Sequence, residues 1–166
     1  MVLSNLIAIV KKSILLVSMF TLFACEATSP GSVQSSYGPM QADELLAGNP
    51  KFTLSYENYN LSEKEVDALK PYANQIKVKV LFGTWCHDSQ REVPRFLKLA
   101  EQLPDLEFQL ISLDYQKSDP DGKAEKYQVK YTPTFIVFKN GQEIGRIIER
   151  PQISIGEDIA KFAAER

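Results

Sequence analysis

The chain has 166 residues, 44% of them hydrophobic and 24% charged, with 19 basic against 21 acidic side chains and a formal net charge of −2. That size and mix fit one globular core with appendages, and the balance lacks the basic surface that a general nucleic-acid binder needs. One histidine and two cysteines leave no set of soft ligands for a structural zinc site, so neither a metal nor another cofactor is expected.

Lys11 and Lys12 precede an uninterrupted apolar run, Ser13 to Phe23. The run is too short for the roughly 20 residues that span a bilayer, so residues 1–24 read as a signal peptide. Its removal leaves 17 basic against 21 acidic groups. Leu22-Phe23-Ala24-Cys25 resembles the lipobox of bacterial lipoproteins, which implies that Cys25 is acylated and becomes the first residue of the mature protein. Glu26, rather than aspartate, follows the cysteine, and by resemblance to Gram-negative lipoproteins this implies sorting to the outer membrane. The alternative is ordinary cleavage after Ala27 with no anchor. Either route delivers the protein outside the cytoplasm, where disulfides persist. Residues 25–50 then carry the lipidated cysteine and a Ser-, Gly-, Pro-, Ala- and Gln-rich linker, whose coil reach is about 25–30 Å.

The folded domain is expected over 51–166. Phe52, Leu54 and Tyr56 alternate with polar neighbours as a half-buried strand does. Ser62 with Glu65 has the pattern of a capping box, and Leu61 with Val66 that of a hydrophobic staple, predicting a helix from Glu63 to about Ala73-Asn74. Ile76, Val78, Val80 and Phe82 alternate with lysines up to Gly83, which predicts a strand ending at Trp85-Cys86-His87-Asp88-Ser89. Val93, Phe96, Leu97 and Ala100 form the apolar stripe of the next helix, which ends near Leu103-Pro104 and contains the kinking Pro94. A strand follows over Phe108 to Leu113, and a short helix over Lys123 to Tyr127. Thr134 to Lys139 and Gln142 to Ile148 flank Asn140-Gly141, the strongest short-range hairpin signal in the chain. Ile155, Ile159, Phe162 and Ala163 mark a last amphipathic helix, opened by Ser154 with Glu157. The order β-α-β-α-β-α-β-β-α predicts an α/β fold with a central mixed sheet flanked by helices.

That order resembles a complete thioredoxin domain, and specific residues carry the resemblance. Trp85-Cys86-His87-Asp88-Ser89 is similar to the W-C-x-x-C motif except at its last position. Pro94 stands eight residues after Cys86, where the family has its kinking proline, and Tyr131-Thr132-Pro133-Thr134 before the hairpin resembles the family's cis-proline loop. The resemblance covers roughly Lys51 to Arg166 and implies a thioredoxin fold with a cis Thr132–Pro133 bond, its backbone beside the sulfur available to an extended substrate.

Two departures matter. Ser89 cannot act as a resolving thiol, and Val80 occupies the place where thioredoxins proper carry a buried aspartate. A chain without a resolving cysteine has little use for that acid, so the departures agree with each other.

A cysteine at a helix N-terminus faces unpaired N–H groups and the positive end of the helix dipole, both of which favour thiolate. Protonated His87 would add to this, whereas the Asp88 carboxylate would oppose it if close. Trp85 is expected to cover the site, and Ser89 to hold the Cys86 sulfur by a hydrogen bond. Two functions follow from these residues. The first is a membrane-tethered monothiol protein that forms mixed disulfides with extracytoplasmic proteins, glutathione or other small thiols, in reduction, isomerisation or deglutathionylation. Here Cys86 is the nucleophile, Thr132 and Pro133 orient the substrate, and His87 and Asp88 flank it. The second is a binding module that holds a partner in the groove beside Pro133, with a vestigial thiol.

Overall fold

In the computed structural model, which describes residues 37–165, five strands form one mixed sheet in the order β1-β3-β2-β4-β5. The strands are β1 (Gly38–Met40), β2 (Ile76–Phe82), β3 (Glu107–Ser112), β4 (Thr134–Lys139) and β5 (Gln142–Ile148). The helices are α1 (Ala42–Gly48), α2 (Pro50–Asn58), α3 (Glu63–Leu69), α4 (His87–Glu101), α5 (Lys123–Lys126) and α6 (Ile155–Ala164). β2 pairs parallel with β3 and antiparallel with β4, so the central strand carries its C-terminal end to the start of α4.

Alternation along the central strands divides the core between the two sheet faces. Val78, Val80 and Phe82 join Leu110, Phe135 and Val137 on one face, under Phe52 of α2, Leu69 of α3, Val93 and Phe96 of α4, and Ile159 of α6. Leu81, Ile111 and Ile136 face the other way, covered by Ala124 of α5 with Leu113, Tyr127 and Val129. Asn140 and Gly141 take φ values of +52° and +78°, as a two-residue turn between antiparallel strands demands, and the β4–β5 hairpin has the predicted limits.

Three expectations need correction. The segment of Phe52, Leu54 and Tyr56 is helix α2, not a strand. Phe52 and Tyr56 are four apart and reach the core from one helix face, while Leu54 is 61% exposed. An i, i+4 pair imitates alternation over so short a window, and Pro50 at the first turn was the better signal.

The first strand lies earlier, at Gly38–Met40, in a stretch assigned to the linker. It pairs antiparallel with the end of β3, Gly38 opposite Ser112. α1 follows it, with Leu45 fully buried, so the linker does not extend to Pro50. A strand of three residues shows no readable period, and Pro39 is tolerated because β1 is an edge strand. The signal segment 1–24 and Cys25 lie outside the described residues.

The capping box at α3 is half made. Ser62 Oγ accepts the Glu65 N–H at 3.2 Å, but the buried Glu65 carboxylate reaches across the fold to accept from Gly156 N–H at 3.0 Å and from the Tyr59 hydroxyl at 2.8 Å. It thereby fastens α3 to the first turn of α6. α3 itself stops at Leu69, and Lys70–Gln75 continue as a 3-10 turn that contains Pro71. The second predicted box is also made by its serine half: Ser154 Oγ accepts the Glu157 N–H at 3.2 Å, while the Glu157 carboxylate accepts the Ser154 hydroxyl at 2.9 Å and not its backbone N–H.

Candidate functional site

β2 delivers the chain to Gly83, and the turn that follows is built around this residue. Its carbonyl accepts the Cys86 N–H at 3.0 Å, and its N–H donates to Ser89 Oγ at 3.3 Å. The Trp85 indole folds back over it so closely that a β-carbon at position 83 would lie 2.5 Å from Trp85 Cε2. The indole N–H donates to the Leu113 carbonyl at 3.2 Å, and the ring stacks on Tyr115 with centroids 5.0 Å apart. Lys117 Nζ stands 6.0 Å from the same ring. Trp85 thus ties the Cys86 turn to the end of β3.

Cys86 is the N-cap residue of α4, with φ −83° and ψ 126°, and no side chain caps the helix. The amides of its first turn therefore carry the positive end of the helix dipole toward the Cys86 position. The half-buried Sγ donates to the Thr132 carbonyl at 3.0 Å. The Thr132–Pro133 peptide is cis, as the sequence resemblance implied. Both residues are buried, and Thr134 Oγ1 donates to the Tyr131 carbonyl at 2.7 Å at the entry to β4.

Ser89 lies in the first turn of α4, fully buried, with its hydroxyl on Gly83. The expected hydrogen bond from Ser89 to the Cys86 sulfur is not made: the sulfur is bonded to Thr132 instead. Val80 is fully buried between Leu110 and Phe135 in the sheet. His87 is exposed at the first position of α4 and lines a cleft of ≈ 350 Å³ with Lys51, Leu54, Ser55, Gln90 and Arg91. Asp88 is held by Arg91 at 2.7 Å and by Arg150 at 3.6 Å. Its charge is therefore countered by two guanidinium groups.

Arg91 also bonds the buried Glu92 at 2.6 Å, and Arg95 reaches the same carboxylate at 3.3 Å. The Arg91 pKa is raised, by the Glu92 hydrogen bond first and, against the cost of burial, by the Asp88 bond as well. Sequence reading named neither arginine. The spacing of Asp88 and Arg91, three apart on one helix face, was a readable signal for that pair; Arg150 is distant in sequence and left none. Glu149, beside it, has φ +63° and donates its N–H to the Pro133 carbonyl at 2.8 Å, joining the loop after β5 to the cis-proline loop. Gly83 was read only as the end of a strand, although a glycine two residues before a Trp-Cys pair was the sign of a ring lying on the backbone.

Comparisons with known proteins agree with this geometry. The family profile described as thioredoxin matches residues 47–159. Thioredoxin H9 of Arabidopsis thaliana is 30% identical over 105 residues, covering 63% of this chain and 69% of that protein. Thioredoxin-2 of Saccharomyces cerevisiae is 31% identical over 99 residues, covering 60% and 91%. The crystal structure of an HIV epitope-scaffold superposes with a TM-score of 0.55 at 15% identity, over 76% of this chain and 89% of that one, a likeness of fold alone. The chain belongs to the thioredoxin family, and its five-stranded mixed sheet flanked by helices is the thioredoxin fold. Membership implies thiol and disulfide protein substrates in general.

Proposed function

We propose that this protein is an extracytoplasmic, membrane-anchored thioredoxin-family protein that forms mixed disulfides through one cysteine, Cys86. The observation that carries the reading is the placement of the half-buried Cys86 at the N-terminus of α4, its Sγ 3.0 Å from the carbonyl before cis Pro133. The sulfur gives its proton to solvent, attacks one sulfur of a substrate disulfide, and forms a new S–S bond as the old one breaks and the other sulfur leaves as thiolate. Release then requires a second thiolate to attack the mixed disulfide and restore Cys86. Ser89 has no sulfur to offer, so that thiol comes from glutathione, another small thiol or the partner protein. This route suits isomerisation and deglutathionylation better than repeated reduction of protein disulfides.

The anchoring part of the proposal rests on Lys11-Lys12, the short apolar run and Leu22-Phe23-Ala24-Cys25, with a lipid on Cys25 holding the domain at the periplasmic face of the outer membrane. Cys25→Ser should move the protein out of the detergent phase, and an unchanged partition would sink the anchor.

Acid quenching of intact cells, alkylation of free thiols and mass spectrometry of species disulfide-bonded to Cys86 test the chemistry. A defined set of partners is the expected result. A bare Cys86 thiol with partners still co-purifying would overturn it in favour of a redox-inactive module that binds through the Thr132–Pro133 groove.

A further inference from the structure

The loop after β5 holds a cation at the rim of the Cys86 site, and it is pinned from both sides. Glu149 N–H donates to the Pro133 carbonyl at 2.8 Å, and the N–H groups of Gln152 and Ile153 donate to the buried Asp158 carboxylate at 2.7 and 3.3 Å. Between these anchors Arg150 projects outward, its side chain 68% exposed, with Asp88 Oδ1 at 3.6 Å. Asp88 already has Arg91 at 2.7 Å. An exposed ion pair of that length contributes little, so Arg150 can exchange Asp88 for another carboxylate while Asp88 stays neutralised.

Arg150 also borders a cleft of ≈ 300 Å³ with Arg146, Ile148, Asp158 and Lys161. The charges in it do not cancel. Glu143 occupies Arg146 through two bonds of 2.6 and 2.7 Å, and the Asp158 carboxylate is taken up by backbone N–H groups. The Lys161 ammonium has no ion pair or hydrogen bond among the described residues. Ile148, 46% exposed, adds apolar surface to the same cleft. Arg150 and Lys161 are thus both exposed along one cleft, and Arg150 reaches Asp88, two residues after Cys86, with no carboxylate paired to either cation among the described residues except the shared Asp88.

We infer that Arg150 and Lys161 form a subsite for an acidic side chain lying within a few residues of the substrate's reacting cysteine. The preferred partner is a protein or peptide thiol flanked by aspartate or glutamate. The inference rests on the mixed-disulfide reading above and adds the substrate class.

Three cysteine peptides that differ only in carrying Glu, Gln or Lys beside the cysteine, each as the mixed disulfide with thionitrobenzoate, provide the test on the protein with its anchor removed by Cys25→Ser. Attack by the Cys86 thiolate on the peptide sulfur forms the protein–peptide disulfide and expels the coloured thiolate, so each rate is read directly. At low salt the Glu peptide should react about fivefold faster than the Gln peptide, the effect of one unit charge near 4 Å in water, and the Lys peptide slower than both. The advantage should shrink with added salt. In the double variant Arg150→Gln, Lys161→Gln the Glu-to-Gln ratio should fall to about one. The ratio is taken within each protein, so a general loss of reactivity cancels. Equal rates for the three peptides, or a preference that survives in the double variant, would overturn the subsite alone. No release from any peptide would overturn the mixed-disulfide chemistry itself, and the subsite with it.

Discussion

Replacing Gly83 by alanine tests whether the Cys86 turn is built as described. The new β-carbon would lie 2.5 Å from Trp85 Cε2 and 2.8 Å from Cζ2 and Nε1, well inside van der Waals contact. Either the indole leaves or the turn strains. If the ring leaves, it forfeits the bond to the Leu113 carbonyl and the stack on Tyr115, each worth about 0.5–1.5 kcal/mol. Tyr115 is 68% exposed whereas Leu113 is fully buried, so the sum stays at about 1–3 kcal/mol. If the ring stays, forcing a methyl group into a filled space costs about 1–3 kcal/mol. The two routes converge on a loss of about 2 kcal/mol, roughly a thirtyfold fall in the folding constant. Urea unfolding followed by far-ultraviolet circular dichroism gives the midpoint. Trp85 is the sole tryptophan, so native emission reports independently on whether the ring has moved to water. Gly48→Ala, at the end of α1 with nothing within 4 Å, is the control and should stay within about 0.5 kcal/mol of wild type. A Gly83→Ala protein with the wild-type midpoint and unchanged emission would refute the packing of Trp85 on Gly83.

Two further outcomes follow from the same geometry. Ser89→Cys should supply the missing resolving thiol and raise insulin reduction with dithiothreitol as the sole external reductant, at a cost of about 0.5–1.5 kcal/mol for weakening the bond from Gly83; wild type matching the variant would defeat the monothiol reading. Stability should decline in alkali. The Tyr56 pKa is pushed up to about 12, by its hydrogen bond to Glu101 first and by burial next, and burial followed by the Glu65 bond raises Tyr59 in the same direction. The folded state holds these protons more tightly than the unfolded chain, so their contribution is complete below about pH 10 and is lost as pH rises through about 12. Tyr56→Phe should flatten the fall between those values, and a decline parallel to wild type in urea titrations would count against the Glu101 contact.

The legible parts of this chain were those whose signal is local. The limits of β4 and β5 followed from alternation and from Asn140-Gly141, and the start of α4 from the strand, Gly83 and Trp85-Cys86 in succession. The first strand was missed because three residues at a sheet edge carry no period, and α2 was misread because Phe52 and Tyr56 share a helix face at a spacing that is also even. Glu65 shows the limit of motif reading: its position in a capping box was visible, but its carboxylate goes to Gly156, 91 residues away. At the site, Cys86, Thr132 and Pro133 came together as the motif implied. The bond partners of Ser89 and Asp88 were set by Gly83, Arg91 and Arg150, which the motif does not include.

The two departures from the family pattern have a common physical consequence. A dithiol cycle must remove a proton twice, once for each thiol that becomes a nucleophile, whereas a single-cysteine exchange needs one deprotonation at the protein. The buried position of Val80 between Leu110 and Phe135 holds no acid. The two acids in the first turns of α4 are both committed, Asp88 to Arg91 and Arg150, and Glu92 to Arg91 and Arg95. Each carboxylate would have to shed a guanidinium partner before it could serve as a base. The polar contact actually made by the sulfur is to a backbone carbonyl, which accepts a hydrogen bond but does not take the proton away at neutral pH. On the proposed single-cysteine route the proton of Cys86 therefore leaves to solvent, and an outside thiol later releases the product. On that proposed route the rate of turnover follows the concentration of the outside thiol, and placing Cys at position 89 without an acid near Val80 should give a resolving step limited by proton transfer rather than by proximity.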